Sequence, residues 1–426
     1  MLHEFLQILT VTIAVGSLYA LVALGYTLVY GVLKFINFAH SDVFVLGAWT
    51  SFTSAVVILT ALKLDPSQSP WWVGVAVFFI ALLVCGVVGY CIERFAYRPL
   101  RKAPRLNVLI TAIGVSLLLQ NIGQITGPAV ARGPEKQSVK DGATVTEPGD
   151  PLATVPFGAS PKRMPTLLPE VVLNESTLAK GNLAGGALRG VVVLDQAITL
   201  EENRQYRLQV TRPATNADGS ARSVTESLSL AVPAGEYAAG TELRTTPRRT
   251  PEELKGATYE FRRSPRVPIN LIDVIIVTVS LVLMVGLQLL IFRTKMGAAM
   301  RALSHNIETA SLMGINTNRV ISFTFVLGSV LAASAAFLYP MKYPGLNQTA
   351  HGIWLLLGLK AFVAAVVGGI GNVRGAVLGG FLIAAIEFFG AYFYAPLRDV
   401  YVFALLILVL LYRPNGLLGK AGVEKV

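Results

Sequence analysis

The sequence predicts an all-α polytopic membrane protein with about 8–10 transmembrane helices, possible half-helices among them, and a small β-rich extramembrane insertion. Two observations support this fold class. Of the 426 residues, 53% are hydrophobic and only 14% are charged, whereas a soluble globular chain has about 25% charged residues. The apolar residues also form several runs long enough to cross a bilayer, which takes about 20 residues in a helix.

The net charge of +11 is unevenly distributed. Between Arg132 and Arg266 there are 18 Lys and Arg against 16 Asp and Glu, so the excess lies in the other, mostly short loops. In a membrane protein this bias sets orientation, and no basic groove with interleaved aromatic residues indicates nucleic-acid binding. The two cysteines, Cys85 and Cys91, and the scattered histidines lack the spacing of metal ligands. No metal site is therefore predicted.

The N-terminal transmembrane part, residues 1–126, has four apolar runs. They are Phe5–Val32, Val43–Leu62, Trp71–Ile92 and Leu106–Thr126. The segment Lys34–Asp42 is too polar for a lipid-facing helix, and we predict a half-helix or a re-entrant turn surrounded by protein or water. Arg94–Arg105 contains five Arg and Lys, which places it in the cytoplasm.

Residues 127–268 are predicted to form an external domain. They are rich in Pro, Gly, Thr and charge, and no part of them could span a membrane. The segments GVVVLD, QYRLQVTR, ESLSLAV and ATYEFRR alternate in the manner of short strands. Cytoplasmic markers lie one span away on each side, so the domain is expected on the external side.

The C-terminal transmembrane part, residues 269–426, contains a polar basic loop at 293–319. Its apolar runs are Leu271–Phe292, Val320–Tyr339, Trp354–Gly369, Ala376–Tyr394 and Tyr401–Leu411. In the loop, four residues follow one another at spacings of four, three and four, so they share one face of a predicted amphipathic helix: Leu303, Ile307, Ala310 and Gly314. Gly314 is predicted to end this helix, and Asn316 or Asn318 to cap the next one.

The loop also contains a short motif, Glu308-Thr309-Ala310-x-x-x-Gly314. It matches the EAA-x-x-x-G pattern of the ATPase-coupling loop of ABC import permeases, except that Thr309 replaces the middle Ala. Small residues at Ala310 and Gly314 would allow a partner to approach closely. The alternative is a solvated loop helix without a partner.

Longer segments extend this match. They are SLYALVALGYTLVYGVLKFINFAH, IERFAYRPLR, TAIGVSLLLQN, MGAAMRALSHNIETASLMGIN, KAFVAAVVGGIGNVRGAVLGG and FALLILVLLYRPNGLLG. With them the chain resembles the branched-chain amino acid ABC transporter permease family, of the LivH type. The resemblance covers nearly everything except residues 127–268, where the family has a shorter external connection.

The resemblance implies a transport subunit rather than an enzyme. Two permease subunits, identical or similar, would form a channel for leucine, isoleucine or valine in the bacterial inner membrane. Two ATP-binding subunits, which hold ATP and Mg, would dock on the cytoplasmic loops, and a periplasmic binding protein would deliver the cargo. No G-x-x-x-x-G-K-[ST] motif is present in this chain, so no cofactor and no catalytic residue are predicted for it.

The candidate site residues fall into two groups. For ATPase coupling they are Arg301, Glu308, Ala310 and Gly314. For lining or gating the path they are Asn37, His40, Asp42, Gln120, Asn121, Gly368, Gly369 and Gly371. Polar groups at membrane depth suggest function, but Asn37 and His40 would equally satisfy backbone groups at a helix break, and packing explains the glycines as well as gating does. The family usually has Gly and Glu where this chain has Ser41 and Asp42.

Other interpretations stay open at this point. Lys360 and Glu387 either form a buried pair or reach the interface separately. Related permeases carry urea, short amides or sugars. An ion-coupled secondary transporter, or a sensor or adhesion module anchored by the helices, would belong to a different class.

Overall fold

The structure, a computed structural model, describes most of the chain. The described residues are 2–66, 69–101, 103–140, 143–158, 160–168, 171–182, 191–193, 198–200, 206–215, 221–230, 235–237, 242–246, 258–263, 265, 267–346 and 353–419. Among them, eight helices are long and apolar enough to cross a membrane, and Leu356–Gly368 forms a shorter apolar helix. The predicted helical polytopic fold is therefore confirmed.

The described α-helices follow the apolar runs of the sequence. They are α1 Leu2–Leu33, α2 His40–Ala61, α3 Trp71–Cys91, α4 Arg105–Gln124, α5 Leu271–Arg293, α6 Lys295–His305, α7 Ile307–Leu312, α8 Thr317–Lys342, α9 Ile353–Gly368, α10 Val373–Phe393 and α11 Arg398–Tyr412. A π-helical segment, Ile92–Tyr97, and a 3-10 turn, Arg98–Leu100, continue α3. Helices suit these runs because lipid offers no partner to backbone N–H and C=O groups.

Capping residues set several helix ends. The side chains of Asn306, Asn316 and Asn372 accept hydrogen bonds from backbone N–H groups in the first turn of α7, α8 and α10, respectively. Gly314 lies just after α7 with φ +83°, a conformation that glycine adopts without strain. The predicted stop at Gly314 and the predicted cap at Asn316 are both confirmed.

The chain divides into two compact units. The helical unit comprises Ile8–Glu170 and Ile272–Val426, and the β-rich unit comprises Met1–Gln7 and Val171–Leu271. The β-rich unit thus starts at Val171, whereas the predicted insertion starts at residue 127.

The described residues between 127 and 168 fall in the helical unit, and several of them pack on its helices. The ring of Phe157 stacks on Trp49 of α2, with centroids 5.6 Å apart. The Ser69 hydroxyl, in the α2–α3 turn, donates to the Thr166 carbonyl at 2.6 Å. This segment therefore covers one end of the helical unit.

Small residues allow the helices of this unit to approach closely. A Cβ added at Gly379 of α10 would lie 2.0 Å from the Ala364 carbonyl oxygen of α9. One added at Gly380 would lie 2.6 Å from the backbone nitrogen of Ala20 in α1. Such approach is a common way for helices to pack in lipid, where apolar burial does not drive association.

The described strands are short. They are β1 Ala129–Arg132, β2 Lys136–Lys140, β3 Ala143–Glu147, β4 Pro151–Thr154, β5 Lys162–Arg163, β6 Ser176–Asn182, β7 Val191–Val193, β8 Ile198–Leu200, β9 Tyr206–Thr215, β10 Ala221–Leu230, β11 Gly235–Tyr237, β12 Glu242–Thr246, β13 Thr258–Arg263 and β14 Gly345–Leu346. The β-rich unit has an antiparallel sheet in the order β6-β13-β9-β10-β12-β7, and β8 pairs with β11. Strands predicted from the four alternating segments are confirmed as β7, β9, β10 and β13.

Aromatic packing and one ion cluster support this sheet. The buried ring of Phe261 stacks on Tyr206, with centroids 5.7 Å apart. The Glu260 carboxylate contacts Lys180 at 2.7 Å and Arg262 at 2.6 Å. Hydrogen bonds from these two cations hold the pKa of Glu260 below its usual range.

We expect Gly379→Ala to destabilise the helical unit, because its Cβ would meet the backbone of α9. A loss of about 1–3 kcal/mol in the free energy of unfolding is typical of overpacking. Gly286→Ala in α5 is the matched control, since a Cβ there meets nothing within 4 Å. Melting temperatures of the detergent-solubilised variants measure the difference, and equal melting temperatures would contradict the packing argument.

Candidate functional site

The loop between α5 and α8 forms two short helices rather than the single helix predicted. Asn306 is extended, with φ −156° and ψ 119°, and separates α6 from α7. Its side chain caps α7 by accepting from the Thr309 backbone N–H at 3.0 Å. The one-face prediction is therefore wrong across this break: Leu303 and Ala310 are buried, whereas Ile307 is exposed. Asparagine favours such local bonds over helix continuation.

Arg301 holds the loop against the end of α5. Its guanidinium donates to the Ile291 carbonyl and lies 5.4 Å from the centre of the Phe292 ring. Gly297 packs on the same helix end, where an added Cβ would lie 2.2 Å from the Ile291 oxygen. Arg301 is thus engaged within the chain, and its role is to position α6.

The second short helix presents an exposed surface. Glu308 is exposed in its first turn, and Leu312 and Met313 at its end are 87% and 79% exposed. Neither of these two apolar residues is among the candidates predicted from the sequence. Two consecutive large apolar residues inside a basic loop were the signal that could have identified them, since exposed apolar groups often mark interaction sites.

The second candidate region, Lys34–Asp42, is a turn followed by the start of α2. Lys34 has φ +58° and ends α1, and His40 is the first residue of α2. The half-helix alternative is therefore wrong. Asn37, His40 and Asp42 are nonetheless all buried, at 5%, 1% and 3% exposure.

Each of these three side chains has a specific partner. Tyr97, in the π-helical segment, donates its hydroxyl to Asn37 Oδ1 at 2.7 Å. His40 Nε2 lies 3.3 Å from the Val22 carbonyl oxygen of α1. His40 thus contacts a backbone carbonyl of α1 rather than one at the helix break, and Asn37 bonds a side-chain hydroxyl, so neither contact matches the alternative in which both satisfy local backbone groups.

Asp42 differs because its carboxylate meets two polar side chains of α4, Gln120 and Ser116, and one of its oxygens still has no well-formed hydrogen bond. Gln120 of α4 donates to Asp42 Oδ1 at 2.8 Å, but Oδ2 is buried without a hydrogen-bond partner among the described residues. Asn121, predicted beside Gln120, does not join this group. It is exposed, and its amide donates to the Leu117 carbonyl of its own helix.

The glycine turn between α9 and α10 is closely packed. Gly369 and Gly371 have φ +109° and +91°, and a Cβ at Gly368 would lie 1.9 Å from the Gly375 oxygen. The segment after α11 also binds this turn: the Leu418 N–H donates to the Gly368 carbonyl at 3.0 Å. Close packing therefore requires glycine at Gly368, and the positive φ angles favour glycine at Gly369 and Gly371.

Lys360 and Glu387 form the buried pair that the sequence left open. The ammonium of Lys360 donates to Glu387 Oε1 at 2.9 Å. Tyr19 of α1 donates to Glu387 Oε2 at 2.6 Å, and Arg398 of α11 lies 2.6 Å from Oε1. Side chains from α1, α9 and α11 thus contact the Glu387 carboxylate of α10, which is 0% exposed.

A second cluster of polar side chains, which was not predicted from the sequence, surrounds Glu93. This carboxylate is also 0% exposed, pairs with Arg101 and accepts from the Ser322 hydroxyl of α8. Arg101 also donates to Asn318 Oδ1 at 2.6 Å. The end of α3 is thereby bonded to the first turns of α8, directly after the loop.

We expect Glu93→Gln to lower the melting temperature of the chain. The change leaves the Arg101 guanidinium without its counter-charge, and breaking a buried pair costs about 3 kcal/mol. Glu308→Gln is the control because Glu308 is exposed. If both variants melted like the original chain in the same detergent, Glu93 would contribute nothing to stability.

Comparison with known proteins identifies the family. The family model described as branched-chain amino acid transport system / permease component matches residues 8–144 and 234–411. Residues 145–233, inside the predicted insertion, lie between the two matched segments. No solved structure matches the chain.

Three named relatives are similar along their whole length. BraD of Pseudomonas aeruginosa, a high-affinity branched-chain amino acid transport system permease protein, is 34% identical over 100% of this chain and 99% of its own. The LivH proteins of Salmonella typhimurium and Escherichia coli K12, described in the same words, are 30% identical over 99% of this chain and 98% of theirs. The chain belongs to the family of branched-chain amino acid transport system permease components.

Proposed function

We propose that this chain is the permease subunit of an ABC importer that carries leucine, isoleucine and valine across the bacterial inner membrane. The observation that supports this most directly is the full-length similarity to BraD and LivH, whose names state that cargo. Eight helices suited to crossing a membrane agree with a multi-pass subunit.

ATP is hydrolysed on separate subunits that dock on the loop between α5 and α8. Glu308 supplies a charge for recognition, and Leu312 and Met313 supply exposed apolar area. Gly314 is exposed and adds no bulk, so a partner can reach the backbone there, whereas Ala310 is buried and packs α7 against the chain. Arg301 supports the surface from behind through its bond to α5. ATP and Mg are bound by those partners.

The cargo passes the polar region at the start of α2. An amino acid carries an ammonium group, and Asp42 Oδ2 is a buried acceptor without a partner among the described residues. A buried carboxylate oxygen left unpaired is costly, so water or a passing ammonium would stabilise it. Gln120 holds the other oxygen and fixes the carboxylate.

The remaining partners follow from the importer architecture. A second permease subunit, identical or related, completes the channel, and a periplasmic binding protein delivers the amino acid. The basic loops face the cytoplasm, as the positive-inside rule requires. The β-rich residues within 127–268 then lie on the periplasmic side.

We expect Glu308→Arg and Leu312→Ala to weaken binding of the ATPase and to lower leucine uptake. If Leu312 is a hot spot of the interface, its truncation costs about 2 kcal/mol, which corresponds to roughly a 30-fold loss of affinity. Co-purification and uptake assays measure both effects. Ser311→Ala, exposed on the same helix, is the control. Retention of the ATPase by both variants would refute this docking surface.

Competition for uptake tests the cargo. Excess valine is expected to suppress uptake of labelled leucine by cells that contain the complete system, because one path serves all three branched side chains. Urea and ribose are expected to have no effect. Suppression by urea or ribose would assign a different cargo, and uptake that follows an ion gradient without ATP would exclude an ABC importer.

A further inference from the structure

One face of α2 carries polar atoms that the fold leaves unsatisfied. Among the described residues, four of the buried side-chain atoms without a hydrogen-bond partner belong to this helix: Asp42 Oδ2, Trp49 Nε1, Thr50 Oγ1 and Thr53 Oγ1. Buried polar groups in proteins are nearly always bonded, if not to protein then to water or a ligand. Their concentration on one helix therefore indicates a hydrated route or a ligand.

The four atoms share one side of the helix. Asp42, Trp49 and Thr53 are spaced by seven and four residues, which is one face of an α-helix, and Thr50 adjoins it. Ser51 points to the opposite face, where its hydroxyl donates to the Gly47 carbonyl at 2.7 Å. Among the buried hydroxyls of α2 that the structure describes, those of Ser41 and Ser51 are bonded to backbone carbonyls, whereas those of Thr50 and Thr53 are not bonded.

Protein, not lipid, covers the unsatisfied face. Gln120 of α4 reaches Asp42, and Phe157 stacks on Trp49. The four residues are at most 9% exposed. The face therefore lies between α2 on one side and α4 with residues 129–157 on the other.

An open pocket of about 500 Å³ lies beside the C-terminal half of α2, within the range of about 300–1,000 Å³ usual for ligand sites. Its walls include Phe52 and Val56, which lie one residue before and three residues after Thr53, and Leu152. Three cationic residues also line it: Lys63, Lys162 and Arg163. None of its lining residues is acidic, so the pocket favours an anionic group next to apolar walls.

We propose that the pocket and the unsatisfied face of α2 form the external entry route for an amino acid with a branched apolar side chain. The cations receive the carboxylate, and the apolar walls receive the side chain. Thr53, Thr50 and Trp49 then offer hydrogen bonds along about 16 Å of helix, at 1.5 Å per residue, to Asp42, which receives the ammonium. The route rests on the proposed function and leads toward the channel that the two permease subunits complete.

Cysteine labelling tests the route in membrane vesicles that contain the complete transport system. Cys85→Ala and Cys91→Ala remove the two native thiols, and Thr50→Cys, Thr53→Cys or Ser51→Cys then adds one. A negatively charged, membrane-impermeant methanethiosulfonate is applied from outside. Thr50→Cys and Thr53→Cys should react at least about tenfold faster than Ser51→Cys, because a thiol in dry apolar surroundings forms little thiolate. Saturating leucine should slow both reactions, and glucose should not.

Two results would overturn the route. Labelling of Thr50→Cys and Thr53→Cys as slow as that of Ser51→Cys would show that this face is dry. Fast labelling that leucine does not slow would show that the pocket holds something else, such as an acidic lipid headgroup. Leucine uptake by the unmodified system separates this test from the proposed function: uptake without labelling refutes only the route, whereas no uptake refutes the function.

Discussion

The structure depends on the close approach of helix backbones at small residues. Gly379 lies against the backbone of α9, Gly380 against that of α1, and Gly47 of α2 against Ala333 of α8. In lipid no hydrophobic force brings apolar helices together, so contact at short range has to supply the stabilisation. These contacts hold α1, α2, α8, α9 and α10 in fixed positions. The loop between α5 and α8 and the polar start of α2 both adjoin these helices.

The two candidate regions are physically joined through the end of α3. On one side, Glu93 and Arg101 bond to the first turns of α8, directly after the loop. On the other side, Tyr97 bonds to Asn37 in the turn before α2. Tyr97 also packs on Phe325 of α8, with ring centroids 5.3 Å apart. The first turns of α8 and the polar start of α2 are therefore connected through one short π-helical segment, a helix type that often occurs at functional sites.

Sequence periodicity predicted the helices, the cap at Asn316 and the strands well, because each depends on residues close together in the chain. It failed where distant partners decide the outcome. The Asn306 break, the engagement of Arg301 with α5 and the exposure of Leu312 depend on how three helices meet. The unsatisfied face of α2 was equally out of reach, since the sequence shows a threonine but not whether its hydroxyl has a partner.

The carboxylate shared by four helices also constrains how the chain enters the membrane. A charged residue at the centre of a lone helix costs about 3 kcal/mol to insert, and α10 carries Glu387 before Arg398 of α11 has been synthesised. Lys360 of α9 and Tyr19 of α1 are already available to it. Glu387 in α10 is therefore less costly to insert when α1 and α9 already lie beside it and supply these partners.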